Sequence, residues 1–268
     1  MDKPRIRCEI RDGIAEVMLT RGDKLNALDR AMFGAIDETL NQLARQKGLR
    51  AVILHGEGRA FCAGLDVKSM LRQPVAALEI LRREADEATN LAQRVAYGWH
   101  QLPVPVIAVT QGVCFGGGLQ IALGADFRFS TPDCRFSVME IKWGIIPDMS
   151  GSVTLRNLMG VDVAMELAMS GRELDAQEAR ALGLVSRVCE EPLDEAREFA
   201  RTLITKSPDA LAGIKQLYHQ AWARSDEVML KEETRLQQQI LGRPNQWRAT
   251  LNSLFRWRLP FGPRRNAL

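Results

Sequence analysis

Apolar residues near the start of the chain alternate with polar ones. Ile6, Cys8 and Ile10 share one face of a short strand, and residues 14–19 form a second. Asp12-Gly13 between them suits a tight hairpin turn. The period then lengthens. Met32, Phe33, Ile36, Leu40 and Leu43 recur at helical spacing, with Asp29 placed to cap the start and Gly48 to end the helix. Residues 51–55 form a short apolar run, the pattern of a buried strand, and Gly56-Glu57-Gly58 leaves it as a loop. Residues 68–100 read as helical and polar with a break near Pro74, which suits a lid or a pocket wall as well as a packed helix. Residues 104–109 are apolar and β-branched, a second buried strand. Gly112 and then Gly116-Gly117-Gly118 follow, opening a short helix through Ala122, and residues 127–130 and 135–138 give two more short strands.

Strands alternating with helices predict an α/β fold. Several strands are too short for one flat open sheet, so a compact spiral of small β-β-α units fits better than a doubly wound domain. From Ser152 onward the pattern is helical over 162–169, 175–183, 193–204, 210–223 and 226–241, with a strand-like return at 184–188. A boundary near residue 195 divides a core, 1–195, from a helical region, 196–268. That region needs a surface to cover, either the core or a neighbouring subunit. The last fourteen residues are basic and aromatic with two prolines, and read as an irregular tail docked through Phe255, Trp257 and Phe261.

The bulk numbers exclude several classes. A chain of 268 residues is long enough for one sizeable core. The formal charge of +3 is too small an excess to imply a nucleic-acid partner. No apolar run is long enough to span a membrane, and the N-terminus lacks the apolar stretch of a signal peptide. Five scattered cysteines argue against a disulfide scaffold and for a reducing compartment, the cytoplasm. With three histidines and no close cysteine pair, no metal site is expected.

Three segments can carry chemistry. The first is 59–67, where a small-residue loop leaves a buried strand and Asp66 stands ready to cap the next helix; backbone amides at such a start are free to meet an anion. Taken alone, a tight capped loop explains it equally. The second is 112–120. Three successive glycines cost backbone entropy and make sense where a side chain would block an approach. The spacing is neither a dinucleotide fingerprint nor a P-loop, and a close helix–sheet contact is the plain structural alternative. The third is 136–148, where Glu140 and Asp148 sit among Met, Ile, Trp and Pro. Burial there would raise their pKa values, as a proton-transfer group requires. Trp143, Ile145 and Ile146 are the apolar residues expected to exclude water. The plain alternative is a pair of surface carboxylates, with Asp148 capping a helix at Gly151-Ser152.

In order along the chain, Leu25-Asn26-Ala27-Leu28-Asp29, Phe61-Cys62-Ala63-Gly64-Leu65-Asp66, residues 112–120, the Glu140 segment, Ser170-Gly171-Arg172-Glu173-Leu174-Asp175-Ala176 and Ala181-Leu182-Gly183-Leu184-Val185 resemble the enoyl-CoA hydratase/isomerase, or crotonase, superfamily. The resemblance implies a crotonase-like β-β-α spiral with a C-terminal helical region used for trimerisation and for part of the acyl pocket. It implies an acyl-CoA thioester substrate, no separate cofactor, and a homotrimer or dimer of trimers. The N–H groups of Leu65 and Gly117 would form the oxyanion hole. Coenzyme A would bend around Lys24, Ala27 and Leu28 with its adenine near Ala63 and Asp66, and basic residues of the C-terminal region would reach the nucleotide phosphates.

The resemblance also narrows the reaction. Hydratases of the superfamily hold the attacking water with two glutamates. Glu140 matches the second, but position 120 is glutamine, which cannot take a proton. Dienoyl-CoA isomerases pair a glutamate with an aspartate eight residues later, as Glu140 and Asp148 are spaced, although they usually carry a further aspartate where this chain has Gln120. A simple enoyl-CoA isomerase needs one acid. The expectation is a double-bond isomerase acting on enoyl- or dienoyl-CoA. The alternatives are a hydratase using Glu140 and Gln120, or a non-catalytic acyl-CoA- or RNA-binding relative.

Overall fold

The structure is a computed structural model that describes residues 4–72, 74–222 and 224–265. Strands β1 (Ile6–Arg11) and β2 (Ile14–Leu19) form the expected hairpin, with Asp12 and Gly13 both at positive φ. Helix α1 (Arg30–Arg45) starts where Asp29 accepts a hydrogen bond from the Met32 N–H, and it buries the apolar stripe read from the sequence. Strand β3 (Ala51–Gly56) is buried along its whole length.

The next stretch divides into α2 (Val67–Arg72), α3 (Pro74–Leu81) and α4 (Leu91–Gln101). Residues 82–90 are not helical, contrary to the expectation of near-continuous helix. They offer no apolar stripe, and α4 has its own start signal, a reciprocal capping pair between Asn90 and Gln93. Strands β4 (Val106–Thr110) and β5 (Val113–Phe115) lead into α5 (Gly117–Leu123), and β6 (Phe127–Ser130) and β7 (Arg135–Ser137) follow. Helices α6 (Gly151–Leu155), α7 (Val161–Ser170) and α8 (Ala176–Ala181) precede the short β8 (Arg187–Val188). Helices α9 (Pro192–Ile204), α10 (Pro208–Ala221), α11 (Asp226–Ile240) and α12 (Pro244–Phe255) complete the chain.

The six-stranded sheet has the order β1-β2-β3-β4-β6-β8, with β1 and β2 antiparallel and every other pair parallel. Strands β5 and β7 pair in a second, smaller sheet, extended by single bridges from Cys62 to Cys114 and from Phe136 to Leu174. This is the β-β-α spiral with a helical C-terminal region.

Alternation along the parallel strands explains the core. Val52, Leu54, Val106 and Ala108 face the main core, whereas Ala51, Ile53, Ile107, Val109 and Phe129 face Ala196 and Ala200 of α9. Helix α9 spans residue 195 and closes that back face. On the front face α1 packs tightly on α4: a Cβ at Gly98 would stand 2.6 Å from a Leu40 methyl. Among the described residues no helix is long and apolar enough to cross a membrane.

The C-terminal tail is irregular over 256–265, as expected, but it follows a helix that the sequence pattern did not show, residues 244–255, started by Pro244 at the first turn. Phe255 and Trp257 are exposed, with their rings tilted against each other at 5.0 Å, and do not dock on this protomer as expected. Phe261 does make a contact, under the guanidinium of Arg50.

Candidate active site

Two loops at the C-terminal ends of β3 and β4 are sewn together by backbone bonds. Cys62 N–H donates to Val113 O and Phe115 N–H to Cys62 O. The loop 21–28 is stitched to the same place: Leu28 N–H donates to Gly64 O, Ala63 N–H to Leu25 O and Asp66 N–H to Leu28 O. Those last bonds set the direction of the amide between them. Gly64 and Asp66 both face Leu28, so strand alternation turns the Leu65 N–H to the opposite side.

Neither the Leu65 N–H nor the Gly117 N–H has an acceptor among the described residues. Gly117 is the first residue of α5, where the missing turn leaves its amide unpaired by construction. The two loops meet at Gly64, whose absent Cβ would lie 3.4 Å from Gly117 N and 2.8 Å from Phe115 O. Glycine at that position, with φ +85, is a condition of the approach.

The 21–28 loop owes its shape to Asn26 and Arg21, to which the sequence reading assigned no structural role. Asn26 is fully buried; its oxygen accepts from Arg21 N–H, and its amide donates to Glu57 O and Ala60 O. Leu25 and Asn26 both sit at positive φ, a conformation that non-glycine residues adopt at a cost of roughly 1 kcal/mol or more each. Arg21 donates to Ala27 O at 2.8 Å and pairs with Asp66 at 2.8 Å. Burial pushes the Asp66 carboxyl up, but the Ser69 N–H and the Arg21 guanidinium outweigh it and hold the group below the usual carboxylate range. Lys24, Ala27, Leu28, Ala63 and Asp66 are thus brought into two adjoining loops, with Lys24 exposed and Leu28 buried.

The acidic segment follows β7. Residues 140–143 form one 3-10 turn, and Glu140 lies almost wholly buried at its start. Its Oε1 would be 3.4 Å from a Cβ on Gly116, which places the carboxyl beside the start of α5. Oε1 accepts a 2.6 Å bond from Gln120 Nε2, while Oε2 is buried with no partner. Gln120 Oε1 in turn accepts from the Met149 and Gly151 N–H groups, each at 2.9 Å. Burial pushes the Glu140 carboxyl above its ordinary range; its own backbone N–H and then the Gln120 amide oppose this, and the nearby Asp148 charge adds to it.

Asp148 is half-buried, and burial raises its pKa too. It does not cap the following helix: α6 begins after Ser150 with no side-chain cap. Trp143, Ile145 and Ile146 do not wall off the acids as expected, since all three are exposed on this protomer, Ile146 by 74%. Trp143 ends the 3-10 turn, and Ile145 and Ile146 follow Gly144, where a positive φ redirects the chain.

The structure therefore brings Leu65, Gly117, Gln120, Glu140 and Asp148 to one side of the spiral. Among the described residues the Leu65 and Gly117 amides there have no acceptor, and no cation stands beside either Glu140 or Asp148. Among the described residues no group of three or more His, Cys, Asp or Glu side chains could hold a metal ion.

Residues 9–247 match the enoyl-CoA hydratase/isomerase family. The 1,2-epoxyphenylacetyl-CoA isomerase of Escherichia coli (strain K12) is 31% identical over 258 residues, 95% of this chain and 97% of that protein. The enoyl-CoA hydratase of Bacillus anthracis superposes with a TM-score of 0.86 at 25% identity, covering 96% of this chain and 98% of its own. The enoyl-CoA hydratase of Mycobacterium tuberculosis H37Rv gives 0.84 at 27%, covering 97% and 99%. With its spiral fold, its pair of loops and its buried glutamate, the chain belongs to the enoyl-CoA hydratase/isomerase family and is an acyl-CoA enzyme.

Proposed function

We propose that the enzyme shifts a carbon–carbon double bond in an enoyl- or dienoyl-CoA, with Glu140 as the proton carrier and Asp148 as a second acid. The observation that carries this reading is the pair itself: two carboxyls at one site, neither in an ion pair, both pushed up by burial. The thioester carbonyl accepts hydrogen bonds from Leu65 N–H and Gly117 N–H. For a 3-enoyl substrate, ionised Glu140 takes a proton from C2, and the electron pair passes into a dienolate whose oxygen those two amides stabilise. A proton returned to C4 leaves the 2-enoyl product, and no atom is gained or lost. Asp148 supplies the longer shift of a diene, one acid taking a proton while the other delivers one. A raised pKa makes each carboxylate a stronger base, which suits a group that must take a proton from carbon. The isomerase named above, which acts on a coenzyme A thioester, supports this class.

Coenzyme A would lie along Lys24, Ala27 and Leu28, with its adenine near Ala63 and Asp66. Residues 196–268 would form the contacts of a homotrimer or a dimer of trimers, for which the exposed Trp222, Trp247, Phe255 and Trp257 supply apolar surface. The solved hydratases keep a second reading in play: water addition to 2-enoyl-CoA, with Glu140 as the base. Assays of wild type, Glu140→Gln and Asp148→Asn against 2-enoyl-, 3-enoyl- and dienoyl-CoA separate the two. Loss of a double-bond shift in Glu140→Gln, by about 10²–10⁴-fold, supports isomerisation. Rapid hydration of 2-enoyl-CoA, with the other substrates untouched, contradicts it.

A further inference from the structure

We propose that Gln120 is a positioning residue: it clamps Glu140 through Oε1, leaves Oε2 as the one oxygen free for chemistry, and ties that acid to the backbone beside Asp148. The inference rests on Glu140 being the proton carrier. It starts from which way the amide points. Two backbone N–H groups, of Met149 and Gly151, converge on one end of Gln120 at 2.9 Å. Only the carbonyl oxygen can accept both, so the NH2 end must face Glu140, where it donates at 2.6 Å. A flipped amide would set donor against donor at one end and oxygen against carboxylate at the other.

The clamp is rigid. Gln120 is 2% exposed on α5, and Gly151 comes so close that a Cβ there would stand 2.8 Å from Gln120 Oε1. Its oxygen, already taken by two donors, is poorly placed to hold an attacking water as well. Its fixed N–H favours the ionised form of Glu140 against the burial that opposes it. The other carboxyl oxygen, Oε2, is buried and unpartnered, and it remains for the substrate.

Two substitutions test this. Gln120→Leu removes the clamp but orphans two buried N–H groups, so it can fail to fold. Gln120→Glu keeps an acceptor for both N–H groups and replaces the donor with a carboxylate oxygen facing Glu140, so the pair must share a proton. The direct readout is the titration of the Glu140 carboxyl by carbon NMR of protein labelled at glutamate, without substrate, assigned by the signal lost in Glu140→Gln. In Gln120→Glu the Glu140 titration moves to higher pH than in wild type. In the double-bond assay kcat falls on the order of 10–10²-fold with KM held. In the Glu140→Gln background, Gln120→Glu causes no further loss, because the clamp then has no carboxylate to act on.

An unmoved Glu140 titration in Gln120→Glu overturns the proposal. So does a loss that multiplies fully with that of Glu140→Gln. A wild type that shifts no double bond defeats the isomerase reading instead, and the titration, which needs no turnover, still decides on the clamp.

Discussion

A methyl group at Gly118 would stand 2.5 Å from the carbonyl oxygen of Cys62 and 2.8 Å from its sulfur, whereas one at Gly117 would meet mainly the Met149 sulfur, at 2.7 Å. The first obstacle is buried backbone and the second is the flexible end of a thioether. Gly118→Ala is therefore the costlier change, by about 1–3 kcal/mol, and urea midpoints of the two variants check it. Equal midpoints would contradict the packing described. The acids give a second prediction at this scale. Burial raises the folded pKa of Glu140 above its unfolded value. Its contribution to stability is thus present below the ordinary carboxylate range and is lost as pH rises through the raised value. Glu140→Gln keeps the shape and an acceptor for Gln120 but never ionises. It is expected to be more stable than wild type at neutral pH, with the gap closing in acid, as read from urea midpoints across pH; a variant less stable at neutral pH would be the contrary result. Glu140, Asp148 and the glycines were legible in the sequence because their types are costly where they stand. The structural roles of Arg21 and of the buried pin Asn26 were not, because an arginine and an asparagine in a polar loop look alike whether or not the backbone closes around them.

Elements with one strong period were readable, and those shaped by a neighbour were not. The stripe of α1 and the buried runs of β3 and β4 stand close to where the pattern puts them. Helix α12 escaped notice because its apolar residues, Trp247, Leu254 and Phe255, are exposed and form no stripe against this chain. The 3-10 turn at Glu140 escaped for a related reason: short turns are fixed by tertiary contacts, here the Gln120 bond. One tertiary contact decides how α10 is held. Lys215 is buried, donates to Trp99 O and Val104 O, and pairs with Asp126 at 2.8 Å. Burial pulls its pKa down while Asp126 opposes the shift. Lys215→Met takes the cation away from buried Asp126, which keeps the Val106 N–H and the His219 imidazole, at 2.9 Å, as neighbours, and is expected to cost about 3–5 kcal/mol. Denaturant unfolding measures it, and a loss under 1 kcal/mol would show that α10 is held by apolar packing instead.

For the whole molecule, the surface is the informative part. Ile141, Trp143, Ile145 and Ile146 beside the acids, and Val161 and Met165 on α7, are exposed apolar residues on one protomer, as are those of α10–α12. Exposed apolar area of this extent points to an interface. The proposed trimer predicts a light-scattering mass of three or six protomers of 30.0 kDa, and a mass of one protomer at assay concentration would refute it. Assembly was only partly legible in the sequence, since apolar residues in a pattern do not say which copy they face. The central claim concerns atoms, and one measurement reaches it directly. Wild-type enzyme is incubated with a 3-enoyl-CoA in water enriched in heavy oxygen, and the product is weighed by mass spectrometry. Isomerisation predicts a product of unchanged mass whose double bond has moved into conjugation with the thioester. A product heavier by one labelled water, with no unhydrated isomer formed at any time, would contradict the account.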